Sequence, residues 1–94
     1  MAQIVWSYPA RDDLKEIVSY IRVESPAYAK SFALRLHQRI TQLEKFPNSG
    51  RLVPEDWNQT YKELIFGNYR VIYRHDAGTV TIVTIIHGAR ILRF

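Results

Sequence analysis

Five residues near the C-terminal end carry most of the chemistry this sequence could perform. Glu63, Arg70, Arg74, His87 and Arg90 fall within residues 61–90, a stretch of β-forming runs in which a sheet usually carries Val, Ile or Thr. Arginine presents a planar, permanently charged fork that suits phosphate or carboxylate oxygens, and an imidazole near its pKa can move a proton. Arg70, Arg74 and His87 could therefore bind and cleave a phosphodiester. Without a metal the substrate would be RNA: its 2′-hydroxyl attacks with Glu63 or Glu55 as base, an arginine stabilises the phosphorane and His87 protonates the leaving oxygen. The alternative is a set of ion pairs, in which the arginines answer Glu55, Asp56 or a partner's carboxylates and His87 simply ends a strand. Arg51, Arg70, Arg74 and Arg90 form the candidate anion- or partner-binding set, and Arg70, His87 and Glu63 the candidate catalytic set.

Positioning these groups requires a sheet. Tyr61 to Phe66 reads as a strand, Gly67-Asn68 as a two-residue turn, Tyr69 to Arg74 as the returning strand, residues 75–78 as a second turn and Thr79 to His87 as a long final strand. Side chains alternate along a strand, so Arg70, Ile72 and Arg74 share one face and Tyr69, Val71 and Tyr73 the other. Pairing Arg74 with Thr79 places Thr81, Val83, Ile85 and His87 on the arginine face. It also lets Val71, Tyr73, Val80 and Ile82 cover a core together. A one-residue slip would swap the faces.

That core must come from the first half of the chain. Ile4 to Tyr8 is a short β-prone run closed by Pro9, which suits the first turn of a helix. From Ala10, the residues Leu14, Ile17, Val18 and Ile21 recur at helical spacing, and Asp12, Asp13 and Glu16 are expected to stabilise the helix's positive end. Ser25-Pro26 caps and starts a second helix with a stripe of Ala29, Phe32, Ala33, Leu36, Ile40, Leu43 and Phe46. Lys30, Arg35 and Arg39 fall off that stripe on a solvated face. Pro47 ends the helix, and residues 47–60 read as a loop carrying Arg51, Pro54, Glu55, Asp56 and Trp57, with Trp57 expected as a lid over the core edge. The result is one α+β domain over 1–94: β-α-α-β-β-β, with an antiparallel twisted sheet packed on an N-terminal αα-hairpin.

Composition narrows the class. Hydrophobic residues at 47% and charged residues at 23% are ordinary for a globular domain, and no cysteine is present for a disulfide or thiolate site. Three histidines lack ligand spacing, so no metal or cofactor is expected. No run suggests a secretory leader or a membrane span, which makes the cytoplasm the expected compartment and a membrane partner unexpected. Residues 61–94 hold five Lys/Arg against two Asp/Glu, three of the four net positive charges, so an anionic partner is favoured there.

The order and spacing of several short motifs resemble a known family. They are Trp6, the run from Pro9 to Ile21, Ser25-Pro26, Phe32, Leu43, Phe46-Pro47, Gly50-Arg51, Val53-Pro54-Glu55, Lys62-Glu63-Leu64, Tyr69-Arg-Val-Ile-Tyr-Arg74 and Ile86-His-Gly-Ala-Arg90. Together they look like the ParE/RelE superfamily of type II toxin–antitoxin toxins across nearly the whole chain. The resemblance implies a toxin neutralised by a cognate antitoxin whose disordered segment folds on binding, alone or in a homodimer or heterotetramer. It implies one of two activities. RelE-like members cleave mRNA on the ribosome with central-strand basic residues, among which Arg70 would be counted, and commonly a Tyr or His close to the C-terminus. This chain ends Gly88-Ala-Arg-Ile-Leu-Arg-Phe94, with neither. ParE-like members poison DNA gyrase through protein contact, and the opening Asp-Asp-Leu helix and closing His-Gly-Ala-Arg are more similar to that branch.

Overall fold

The computed structural model describes residues 1–93. Strand β1 (Gln3–Trp6) leads into helix α1 (Tyr8–Glu24), helix α2 (Pro26–Thr41) and a single 3-10 turn (Gln42–Glu44). Strands β2 (Arg51–Leu52), β3 (Lys62–Phe66), β4 (Tyr69–Asp76) and β5 (Thr79–His87) follow. The sheet order is β1-β5-β4-β3-β2, with β1 parallel to β5 and the other neighbours antiparallel. The expected α+β order holds, but β1 joins the sheet in parallel and a two-residue strand lies within the expected loop.

Serines set the helix ends. Ser7 caps α1 by accepting the Ala10 N–H at 3.1 Å, and Ser25 both closes α1 with its N–H on Ile21 O and caps α2 by accepting from Tyr28 N–H. Each helix carries a proline in its first turn, where a missing N–H leaves no bond unmade. The α2 stripe is buried at Ala29, Phe32, Leu36 and Ile40, and Leu43 extends it, whereas Phe46 is 63% exposed and lies outside the core. These side chains meet Leu64, Val71, Tyr73, Val80, Ile82 and Ile85 of the sheet. In α1 only Ala10 is fully buried, and Leu14, Ile17, Val18 and Ile21 stay half-covered.

The register departs from expectation in two ways. Strand β4 runs on to Asp76, so the second turn is only Ala77-Gly78, with φ of 50° and 79°. Both residues are left-handed, as a tight hairpin of right-handed twist requires, and Ala gave no sign of it. Arg74 therefore pairs with Thr81, and Tyr73 with Ile82. The second departure is a bulge: beyond Ile72 the pairing steps to Thr84, leaving Val83 without a partner on β4. The step swaps the faces of the rest of β5. Ile85 enters the core, Arg70 lies opposite Ile86, and His87 lies opposite Tyr69 on the helix side instead of beside Arg70.

The bulge is held from outside the sheet. Strand β1 pairs with β5 only as far as Ile82, and the next backbone groups find side chains. The Ser7 hydroxyl donates to Val83 O at 2.8 Å, while Asp13 Oδ2 accepts from the Ile85 N–H at 3.0 Å and the Thr84 hydroxyl at 2.5 Å. Because α1 begins at Tyr8, Asp13 lies in its second turn, so its role is to satisfy the bulged edge and not to neutralise the helix end.

Ala77→Gly tests the turn. Left-handed backbone costs a residue with a Cβ about 1 kcal/mol, so the variant should melt roughly 4–8 °C higher. An unchanged or lower melting temperature would contradict the assignment.

Candidate functional site

Alternation on β3 and β4 puts Glu63, Ile65, Arg70, Ile72 and Arg74 on the face away from the helices. The chain after β2 and the C-terminal tail fold back over this face, where Val53 and Ile72 are buried. At its centre Arg70, whose side chain is only 7% exposed, is surrounded by acceptors. Its Nε donates to Glu63 Oε1 at 2.7 Å, and Nη2 lies 2.6 Å from the same oxygen. Nη1 and Nη2 donate as a fork to the two oxygens of Glu55 at 2.8 and 2.7 Å, and Nη1 also reaches Arg90 O at 3.0 Å. Four of the five guanidinium N–H groups are thereby hydrogen-bonded, and Nη2 also stands within ion-pair distance of Glu63.

The network extends at both ends. Arg51 Nε donates to Glu63 Oε2 at 2.5 Å, joining the edge strand to the pair, and the Leu92 N–H donates to Glu55 Oε2 at 3.0 Å, joining the tail. Two arginines and two glutamates make the cluster formally neutral. Glu63 is fully buried and has two guanidinium groups against its carboxylate oxygens. The Arg70 fork, helped by the Leu92 N–H, holds the Glu55 carboxyl down to about 2. Reciprocally, Glu55 and then Glu63 push Arg70 above its ordinary range against the effect of burial.

Two neighbouring contacts stiffen the frame. The Gly50 N–H donates at 2.9 Å to the hydroxyl of buried Tyr73, whose pKa burial raises. A Cβ on Gly50 would stand 2.6 Å from that hydroxyl and 2.7 Å from Glu63 O, so glycine is required for this approach. Asp56, also buried, accepts from the N–H groups of Asn58, Thr60 and Tyr61 at 3.1, 2.7 and 2.8 Å and fixes the loop beyond Glu55.

The remaining candidates do not join the cluster. Arg74 is exposed and, among the described residues, has no ion-pair partner, while Arg90 contributes its carbonyl oxygen instead of its charge. His87 packs its ring edge-on to Tyr69, with centroids 5.8 Å apart, and its Nδ1 accepts the Ala89 N–H at 3.2 Å. It also lines a cleft of about 420 Å³ together with Arg51, Glu55, Ile65 and Arg70. Among the described residues no three His, Asp or Glu side chains converge as metal ligands. Sequence reasoning overlooked Asp13, Asp56 and Tyr73 as structural anchors; the only hint was that polar groups beside apolar runs must find partners if buried. Trp57, expected as a lid, is 95% exposed and covers nothing.

The cluster makes unequal demands on its arginines. Arg70→Ala leaves Glu63 buried with one partner lost and should cost roughly 3–5 kcal/mol in urea unfolding. Arg74→Ala should stay within about 0.5 kcal/mol. Equal losses would show that the ion pairs carry no weight. The carboxyl of Glu55 lies below its ordinary value of 4.5, so its contribution is complete above that pH and is lost as pH falls towards about 2. Glu55→Gln should flatten that part of the stability profile, and an unaltered acid limb would contradict the pairing.

With this geometry in hand, comparison with known proteins is informative. Residues 4–92 match the family described as ParE toxin of type II toxin–antitoxin system, parDE. Toxin RelE2 of Caulobacter vibrioides is 39% identical over 92 residues, covering 97% of this chain and all of the relative. In fold the chain is similar to a chain of the chromosomal ParDE system from P. aeruginosa, with a TM-score of 0.77, 19% identity and coverage of 93% and 96% of the two chains. A chain of the toxin–antitoxin complex RelBE2 from Mycobacterium tuberculosis gives a TM-score of 0.64, 21% identity and coverage of 92% and 96%. A toxin of a type II toxin–antitoxin system, the chain belongs to the ParE toxin family.

Proposed function

We propose that this toxin arrests growth by binding DNA gyrase and blocking replication, without catalysis of its own. The observation that carries this reading is the saturation of Arg70. A guanidinium with four N–H groups already bonded to Glu63, Glu55 and Arg90 O, and two carboxylates against it, has no open fork for a phosphate. The imidazole that would act as the acid packs on Tyr69, with Nδ1 occupied by the Ala89 N–H of its own turn. A binding protein needs neither group free.

A cognate antitoxin is the second partner in this reading. Both structural relatives come from toxin–antitoxin systems, and the half-covered stripe of α1, with Tyr20 and Val23 exposed beside it, is an apolar surface suited to a segment that folds on contact.

Ribosome-dependent mRNA cleavage is the alternative, favoured by one feature: the cleft that brings Arg51, Arg70 and His87 to a common rim beside Glu55. The two readings differ in which purified system fails. On the gyrase reading, the toxin inhibits supercoiling and traps gyrase-dependent DNA breaks, leaves mRNA intact in a translating extract, and His87→Gln acts like wild type. Cut mRNA that disappears with His87→Gln, together with undisturbed gyrase, would establish the nuclease.

A further inference from the structure

We propose that Trp57 is the anchor by which this toxin grips its target, inserting its indole into an apolar pocket rimmed by acidic side chains. The inference rests on the gyrase-binding reading and assigns a contact within it.

Three observations lead there. Trp57 is 95% exposed, although indole is among the side chains most favoured for burial at interfaces. Its loop is also rigid. The Val53 N–H bonds to Tyr61 O and closes the base, Val53 itself is buried, and Asp56 pins three backbone N–H groups from inside. Gln59 takes a φ of 56°, a left-handed conformation that these bonds hold in place. The backbone of such a loop is already placed before it meets a partner, which lowers the entropic cost of binding.

The third observation is the sign of the surroundings. Glu55, Glu63 and Asp56 have both of their oxygens engaged internally. Among the described residues, the exposed charges on this side of the sheet and its tail are Arg74, Arg90 and Arg93 against Asp76, with Arg51 already paired to Glu63, so the balance is positive. A net positive face that also presents an exposed indole is complementary to an apolar pocket with acidic side chains beside it. A nucleic-acid strand fits less well, because successive bases stack on several aromatic side chains, and the other exposed aromatics among the described residues are Tyr8, Tyr20 and Tyr28 on the helices and Phe46 just after the 3-10 turn.

Supercoiling inhibition by purified full-length toxin provides the test, with Trp57→Ala compared against Leu34→Ala, which removes an equally apolar exposed side chain from α2. Both variants should keep the wild-type melting temperature. Trp57→Ala should raise the half-inhibitory concentration about 30-fold, the loss that matches a 2 kcal/mol hot spot, and Leu34→Ala should not. In a Trp6→Phe background, where Trp57 is the sole tryptophan, adding gyrase should shift its emission to the blue and protect it from acrylamide quenching. If wild type inhibits gyrase and Trp57→Ala does so equally, or the emission stays that of a hydrated indole, the anchor is overturned while the gyrase reading stands. If wild type leaves gyrase active, the gyrase reading falls and takes the anchor with it. Protection of Trp57 by a single-stranded oligonucleotide in place of gyrase would overturn the acidic pocket.

Discussion

One buried guanidinium organises the face of this toxin that the helices leave uncovered. Moving Arg70 and Glu63 out of water is unfavourable for each alone, and their mutual attraction offsets this with the help of further partners on both groups. Those partners come from separate parts of the chain: Arg51 from the edge strand, Glu55 from the loop, and Arg90 O and the Leu92 N–H from the tail. The cluster therefore performs the work of a small second core. It ties segments too short and too polar to bury much apolar area of their own, and Val53 and Ile72 supply the little there is. Occupancy of the guanidinium is the physical reason a residue at a nuclease-like position can have a purely structural role.

A second constraint separates the two faces. The bulge in β5 is fixed by Ser7 and Asp13 at the start of α1, so the helix that packs on one face also determines which residues of β5 point to the other. His87 is turned towards Tyr69 by that step, away from Arg70. The outer face is left with exposed arginines, Ile65 and the indole of Trp57, and the inner face with a half-covered helix.

Much of this was legible in the sequence. The apolar spacing of Phe32, Leu36, Ile40 and Leu43 and the alternation of Val71, Tyr73, Val80 and Ile82 report local periodicity, and they located the core. Ser25-Pro26 marked the helix junction because capping is a short-range effect. The misread features depend on long-range partners. A bulge held by Asp13 on Ile85, 72 positions away, has no local signature. Ala77 gives no warning of positive φ. Trp57 is hydrophobic and suggests burial, and only the folded loop reveals that it projects. Arg70 was recognisable as unusual, but whether it faced substrate or carboxylates depended on where Glu55 and Glu63 came to rest.

The central claim, that Arg70 is consumed within the fold, can be read directly from its guanidinium hydrogens. Nitrogen-detected NMR of the full-length toxin should find the Arg70 Nε and Nη protons in slow exchange, coupled across hydrogen bonds to Glu55 and Glu63, and unchanged when an RNA oligonucleotide is added. Guanidinium protons that exchange like those of free arginine, or that shift on addition of RNA, would contradict it.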